Sequence, residues 1–361
     1  MESKKRLDKL IKKSRADLYK PIAIAEILYR HRVNGLNIDN VDSYRRQSYG
    51  WMQDIIWQLH HKTTQLNSRY WDQLFDATIL PPTQIQELAE FNNEHKGLIE
   101  IYIYAHVQSK YRALTYLRQN LETMPVDEFS LDVFLGFFES NAKYRGSVDK
   151  AYEIAVYALF NTVVRELKAT ITLSVDQSSM LLLQEFEDFA RLVLGIDMQH
   201  LSIEKPARLF RIGTTNANDA GLDMWTNFGP AVQVKHISLQ SQQMLEICNS
   251  VRADQLIVVC KTRDAKIIQT VIEQMGLAEK LRGIITKNDL EIWYDKCFQP
   301  QYSNILGRQL IDSIVEEMKL EFPLSVSESF DKFFTERNYS DKILQGDWIV
   351  KYAEAVLKSG S

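Results

Sequence analysis

An aspartate, a glutamine and a lysine within one short stretch carry the clearest chemical suggestion in this chain. Residues 221–238 read Gly-Leu-Asp-Met-Trp-Thr-Asn-Phe-Gly-Pro-Ala-Val-Gln-Val-Lys-His-Ile-Ser, with Asp223 nine intervening residues before Gln233-Val234-Lys235. Asn227, Gly229 and Pro230 are turn formers, so the spacing predicts two short strands folded back on each other. Along a strand, residues i and i+2 share a face. Gln233 and Lys235 are therefore expected together, with Val232 and Val234 turned to the core. The hairpin then brings Asp223 beside them. Carboxylate and amide oxygens are ligands for a hard divalent cation, and Mg²⁺ is the natural ion beside phosphate. The carbonyl of Val234 is a further candidate ligand. A lysine at this point orients or helps deprotonate a water and offsets developing negative charge. Together these groups suit metal-assisted hydrolysis of a phosphodiester.

Gln233 is neutral, so a two-cation site would need another carboxylate. The segment before the hairpin offers Glu185, Glu187 and Asp188. Glu185 has Leu181, Leu182, Phe189 and Leu192 at i−4, i−3, i+4 and i+7, which predicts the apolar, sheet-facing side of a helix. An acid aimed at a core needs a partner, so Glu185 is the favoured extra ligand or water-positioner. The competing reading is an edge carboxylate reaching to solvent. Asp219 is a turn acid with a smaller claim on a metal, and His236 falls on the opposite strand face as a packing residue.

The elements that must position these groups follow from periodicity. Segments 19–32, 46–62, 84–93, 97–121, 130–140 and 148–168 have apolar residues at helical spacing, with breaks at Pro81-Pro82 and Met124-Pro125. After about residue 168 the pattern changes. Lys168–Val175 alternates like a strand, Ser178–Leu194 reads as an amphipathic helix, and Ala207–Gly213 as a strand before the hairpin. Helices are expected at Ser241–Val251, Ala265–Met275 and Asp289–Cys297, and strands at Gln255–Cys260 and Gly283–Thr286. The expected fold is α/β (α+β), a mixed β-sheet flanked by helices. Three regions are expected: a mainly helical part over 1–165 for DNA binding and dimerisation, a catalytic core over 166–300, and a helical extension over 301–361.

Composition narrows the classes. With 45% hydrophobic and 25% charged residues the chain reads as an ordinary globular protein. No apolar run is long enough for a bilayer, and the charged N-terminus lacks a signal-peptide core, so a cytoplasmic location is expected. Cys248, Cys260 and Cys297 form no CxxC pair, which argues against a cysteine zinc site. GxSxG, GxxxxGK[ST] and GxGxxG are absent. The net charge is −4, yet residues 1–46 hold twelve Lys and Arg against six acids, an excess of six. A positive end on a mildly acidic protein suits an enzyme that grips phosphates without sticking everywhere, or else a solvated helix face.

The Asp223, Gln233, Lys235 pattern and the order hairpin, helix, strand, helix, strand, helix resemble the core of the PD-(D/E)xK nucleases, with Gln233 in place of the second acid. Longer stretches are similar to the HaeII-type family of type II restriction endonucleases. They are Leu18-Tyr19-Lys20-Pro21-Ile22-Ala23-Ile24-Ala25-Glu26-Ile27-Leu28, Tyr152–Phe160, Glu185-Phe186-Glu187-Asp188-Phe189, Asn218–Trp225, Gln233–His236 and Ile257–Lys261. The likeness runs over roughly residues 15–325. It implies a Mg²⁺-dependent homodimer cutting both strands of double-stranded DNA at a GC-rich palindrome, purine-GCGC-pyrimidine in the family's namesake. Asp223, Gln233 and Lys235 inherit the catalytic roles, and a cognate DNA methyltransferase is expected in the same system. Guanine is read by Arg or Lys forks. Lys261, Arg263 and Arg211 are candidates for that contact or for phosphate binding. A structure-specific or repair nuclease, or a catalytically silent DNA-binding module, would use the same core.

Overall fold

The structure, a computed structural model, describes residues 2–14, 18–60, 71–141, 144–212, 222–235, 255–274, 278–322, 327–339 and 348. It is mixed α/β, mostly helical, with one five-stranded sheet and a separate two-stranded ribbon. The chain divides into two compact units: residues 1–154, 213–217 and 314–361, and residues 155–212 and 218–313. Among the described residues, no helix is long and apolar enough to cross a membrane.

The first unit is helical. Its described helices include α1 (Glu2–Lys13), α2 (Tyr19–Asn34), α3 (Gln47–His60), α4 (Pro82–Glu94), α5 (Leu98–Thr123) and α6 (Leu131–Ser140). A helix apolar all round must be enclosed, and α2 is enclosed from Lys20 to Leu28. It ends at Gly35, whose positive φ of 70° closes the last turn. Two carboxylates lie inside this bundle. Glu100 accepts from Arg32 Nε and Nη2 at 2.9 and 2.8 Å, from Asn92 at 2.7 Å and from the Tyr339 hydroxyl at 2.5 Å. Glu26 accepts from Arg30, Arg337 and Tyr104 at 3.0, 3.1 and 2.6 Å. Buried charge is tolerated when every oxygen is paired in this way.

The second unit is built on the sheet. Helix α7 (Val148–Glu166) leads into strand β1 (Thr170–Ser174), which pairs antiparallel with β2 (Ser202–Pro206) to form the ribbon. The sheet strands are β3 (Leu209–Arg211), β4 (Met224–Thr226), β5 (Pro230–Lys235), β6 (Gln255–Cys260) and β7 (Leu281–Thr286), side by side in that order. The β3–β4 and β4–β5 pairs are antiparallel, and β5–β6 and β6–β7 are parallel. Helices α9 (Ala265–Gln274) and α10 (Lys287–Cys297) follow β6 and β7, after α8 (Met180–Glu185) in the ribbon. A capping box starts α10: Thr286 accepts from the Asp289 N–H, and the Asp289 carboxylate accepts from the Thr286 N–H and hydroxyl, which holds its pKa down. Side chains from α7, α10 and the sheet enclose a largely apolar cavity of about 510 Å³, with Leu159, Phe160, Val232, Ile257 and Trp293 among its walls.

The expected mixed sheet and its helices are present, and β6 falls on the expected residues. Ribbon strand β2 was not expected. The single helix expected over Ser178–Leu194 is instead broken at Phe186 and ends in a π-helical turn over Ala190–Leu194, stopped by Gly195 with φ 76°. The expected Ser241–Val251 helix lies outside the described residues, as do Asp219 and His236.

Candidate active site on the β4–β5 hairpin

The turn between β4 and β5 works as the residue types dictate. Gly229 has φ 118°, a conformation that costs a glycine little. Thr226 donates its hydroxyl to the Pro230 carbonyl at 2.8 Å across the loop. Asn227 accepts from the Arg208 N–H at 2.8 Å and donates to the Pro206 carbonyl at 3.0 Å, tying the hairpin to the β2–β3 connection. This fixes the register Met224↔Val232 and Trp225↔Ala231. Asp223, just before β4, is thereby placed opposite Gln233, with its N–H donating to the Val232 carbonyl at 3.3 Å.

Asp223 and Gln233 meet directly. Gln233 Nε2 donates to Asp223 Oδ2 at 2.7 Å, and the Val234 N–H donates to the same oxygen at 2.7 Å. Gln233 is fully buried, and its Oε1 has no hydrogen-bond partner. A buried acceptor left unpaired costs about 1–3 kcal/mol, so such an atom points to a missing donor or cation. Val232 and Val234 are buried as expected, and Gln233 is buried with them, so both faces of β5 are covered here. Strand β5 is also bonded on both sides, in register Gln233↔Val258 and Lys235↔Cys260 on β6.

The remaining candidates are distributed differently. Lys235 is the last residue of β5. Lys261 follows β6 directly, and so stands at the same end of the sheet as Lys235. Arg263 lies in the short 3₁₀ turn Thr262–Asp264 that follows. Arg211 pairs with Met224, which alternates with Asp223 along the chain, so its side chain belongs to the other face of the sheet. The side of the α8 segment that carries Glu185 does not face the sheet. Glu185 is exposed, and Leu181, Leu182, Phe189 and Leu192 around it are exposed too. The opposite side of the same helix is also apolar, and Leu183 and Ala190 pack there with Ile203 of the ribbon. Among the described residues, no three His, Cys, Asp or Glu side chains converge to hold a metal.

Two further features lie nearby. Trp225 stacks on Phe210 with ring centroids 4.2 Å apart, and Trp225 shares the strand face of Asp223. Cys260, opposite Lys235 in the register, is buried. Burial, aided by the negative charges of Asp264 and Asp289, pushes its thiol up to about 11, so it stays protonated and unreactive near neutrality.

Comparison with known proteins settles the family. The family model for the HaeII restriction endonuclease matches residues 3–339. The chain belongs to the HaeII restriction endonuclease family. By that membership it is a restriction enzyme of type II. It is 38% identical over 339 residues to the type II restriction enzyme HaeII of Haemophilus aegyptius, covering 94% of this chain and 96% of the relative. It is 35% identical over 341 residues to the type II restriction enzyme NgoBI of Neisseria gonorrhoeae, again covering 94% and 96%. No solved structure matches significantly. The family match runs through the hairpin, so Asp223, Gln233 and Lys235 lie within the shared region.

Proposed function

We propose that this enzyme hydrolyses both strands of double-stranded DNA at a short GC-rich palindrome, acting as a homodimer with Mg²⁺ on a PD-(D/E)xK-like core. The observation that carries the reading is the Asp223 carboxylate held by Gln233 and Val234 beside an unpaired, buried amide oxygen. Strand order supports it as well, since an antiparallel hairpin leads into parallel strands, with helix α9 between β6 and β7.

The donor set fits one hard cation better than two. It offers one carboxylate, the neutral Oε1 of Gln233 and the carbonyl of Val234, all oxygens and only one of them charged. When bound, Mg²⁺ supplies charge neutralisation at the phosphate and a more acidic water. Glu185 is left out of this set because its side of the helix faces solvent. Lys235, two residues beyond Gln233, is assigned to orient the attacking water and to offset negative charge on the phosphoryl oxygens. A water oxygen bonds to phosphorus, one P–O ester bond breaks, and the leaving oxygen takes a proton. The hydrogen bonds to Asp223 keep its carboxylate aimed, so little reorganisation is needed when substrate arrives.

Lys261 and Arg263 are assigned to phosphate or guanine contacts, and Arg211 to a supporting position. The basic helix α1 belongs to the DNA-binding surface of the helical unit, and the cell must carry a methyltransferase that protects the same site. A two-fold palindrome is matched by a two-fold protein in which each subunit cuts one strand.

The test is digestion of a sequenced plasmid with Mg²⁺ and with EDTA, followed by sequencing of the fragment ends. Discrete fragments that share one palindrome and vanish with EDTA are expected. A smear would replace this reading with a structure-specific nuclease. Uncut DNA that still shifts on a gel would replace it with a silent binding module.

A further inference from the structure

The ribbon and the helical segment between its strands form an arm over residues 167–206 with a small core of its own: Leu183, Ala190 and Ile196, packed by Met180, Leu194 and Ile203. The other side of that helical segment is apolar as well. Leu181, Leu182, Phe186, Phe189, Leu192 and Val193 are 55–85% exposed. All six are exposed, at or on either side of the break at Phe186, where Leu183 and Ala190 of the same segment are buried. A helix apolar on both sides belongs in an interior, yet here one side meets water.

We infer that this outer face of the arm is where two copies of the chain meet. The inference rests on the reading above, in which a palindrome is cut by a pair of subunits. Three observations bear on the occupant: area and composition favour a second copy, and charge argues against DNA. The first is area. At roughly 150–250 Å² for a large apolar side chain, these six expose on the order of 700 Å². That approaches the ~800 Å² that each partner contributes to a standard interface, and it exceeds the few hundred Å² that monomers leave bare. The second is charge. Residues 167–206 hold Asp176, Glu185, Glu187, Asp188, Asp197 and Glu204 against Lys168, Arg191 and Lys205. An acidic surface of this kind repels a phosphate backbone, so DNA is not what covers it. The third is composition. Large aliphatic and aromatic side chains dominate the stripe, as in the fully desolvated centre of a homodimer interface, and charged side chains are few within it. Glu185 is the exception on the stripe, and the apolar neighbours that suggested a buried ligand for the metal are the neighbours of an interface residue.

The experiment is sedimentation velocity on the full chain over a range of concentrations, with and without a palindromic duplex. Wild type is compared with the double variant Phe189→Glu, Leu192→Glu. Both positions are exposed within one chain, so a monomer tolerates the change, and circular dichroism and thermal melting are run alongside to show it. Wild type is expected near twice the 42.0 kDa chain mass. In the variant the dimer dissociation constant should rise at least about a hundredfold, because two carboxylates would have to be desolvated in each copy. The same variant should nick a supercoiled plasmid far more readily than it linearises it. A wild type and variant that dimerise equally well place the interface elsewhere and overturn this inference, while leaving the paired reading intact. A variant that stays dimeric but melts at lower temperature assigns the face to packing within the chain, and also overturns it. A wild type that is monomeric with and without DNA and still cuts both strands together removes the paired reading itself.

Discussion

Gln233 and Asp223 grip each other across the hairpin: the glutamine amide donates to Oδ2 at 2.7 Å, while the carbonyl end of that amide has no partner. An acid in the glutamine's place would set two carboxylates at hydrogen-bonding distance. The neutral amide therefore lets the site form without a cation, and its free oxygen leaves the site able to take one.

Replacing Gln233 by Glu should therefore couple the fold to the metal. Two carboxylates this close cannot both ionise without a proton or a cation between them. In EDTA the variant is expected to lose about 1–3 kcal/mol of stability, and Mg²⁺ should restore most of it. Thermal melting of both proteins with and without Mg²⁺ is the measurement. A variant that melts like wild type in EDTA would mean that the amide–carboxylate hydrogen bond does not hold the hairpin.

Asp223→Ala removes a proposed ligand and the acceptor shared by Gln233 and Val234. Cleavage should fall by at least about a thousandfold, the loss of transition-state stabilisation being several kcal/mol. Binding of the same duplex in a gel shift should change little, since the phosphate and base contacts proposed above use other residues. Wild-type turnover in this variant would remove the hairpin from the chemistry.

Arg32→Ala should cost about 3–5 kcal/mol of stability in the helical unit, because it leaves the buried Glu100 carboxylate without its two-pronged cation. Arg32→Lys should recover only part of this, since an ammonium cannot present two parallel N–H groups. Urea unfolding of the three proteins gives the comparison.

The thiols offer a pH-dependent test. Burial raises the Cys260 thiol to about 11 and the Cys297 thiol in the same direction, so thiolate, the reactive form, is scarce until pH climbs well above 8. At pH 8 native Cys260 should take up iodoacetamide about a hundredfold more slowly than after denaturation, and Cys297 should be slowed in the same direction. Mass spectrometry of the labelled digest reads this directly. Rapid native labelling of Cys260 would show that the end of β6 opens.

Much of this is legible in the sequence. Gln-Leu-Ile-Val-Val-Cys became β6 over Gln255–Cys260 because a nearly unbroken run of apolar, mostly branched residues has little polar side to show and must be covered on both faces. The hairpin was legible because Asn227, Gly229 and Pro230 limit the turns the backbone can make. Glu185 was misplaced for a physical reason. Periodicity shows that Leu181, Leu182, Phe189 and Leu192 share a side, but a helix with two apolar sides carries no mark of which one the fold encloses. Strand β2 was missed because Ser202–Pro206 has one large apolar residue, Ile203, and otherwise polar, charged or proline positions. It is held by the register it makes with β1.

The two buried carboxylates of the helical unit also bear on how the protein comes into being. Glu26 and Glu100 are partnered by Arg337 and Tyr339, which lie 311 and 239 residues further along. Synthesis proceeds from the N-terminus, so the first helices emerge well before these partners. For most of that time the early carboxylates have their neighbours Arg30 and Arg32 but lack the late ones. A nascent or truncated chain thus cannot finish its helical unit, and that unit is completed only when the β4–β5 hairpin has already been made.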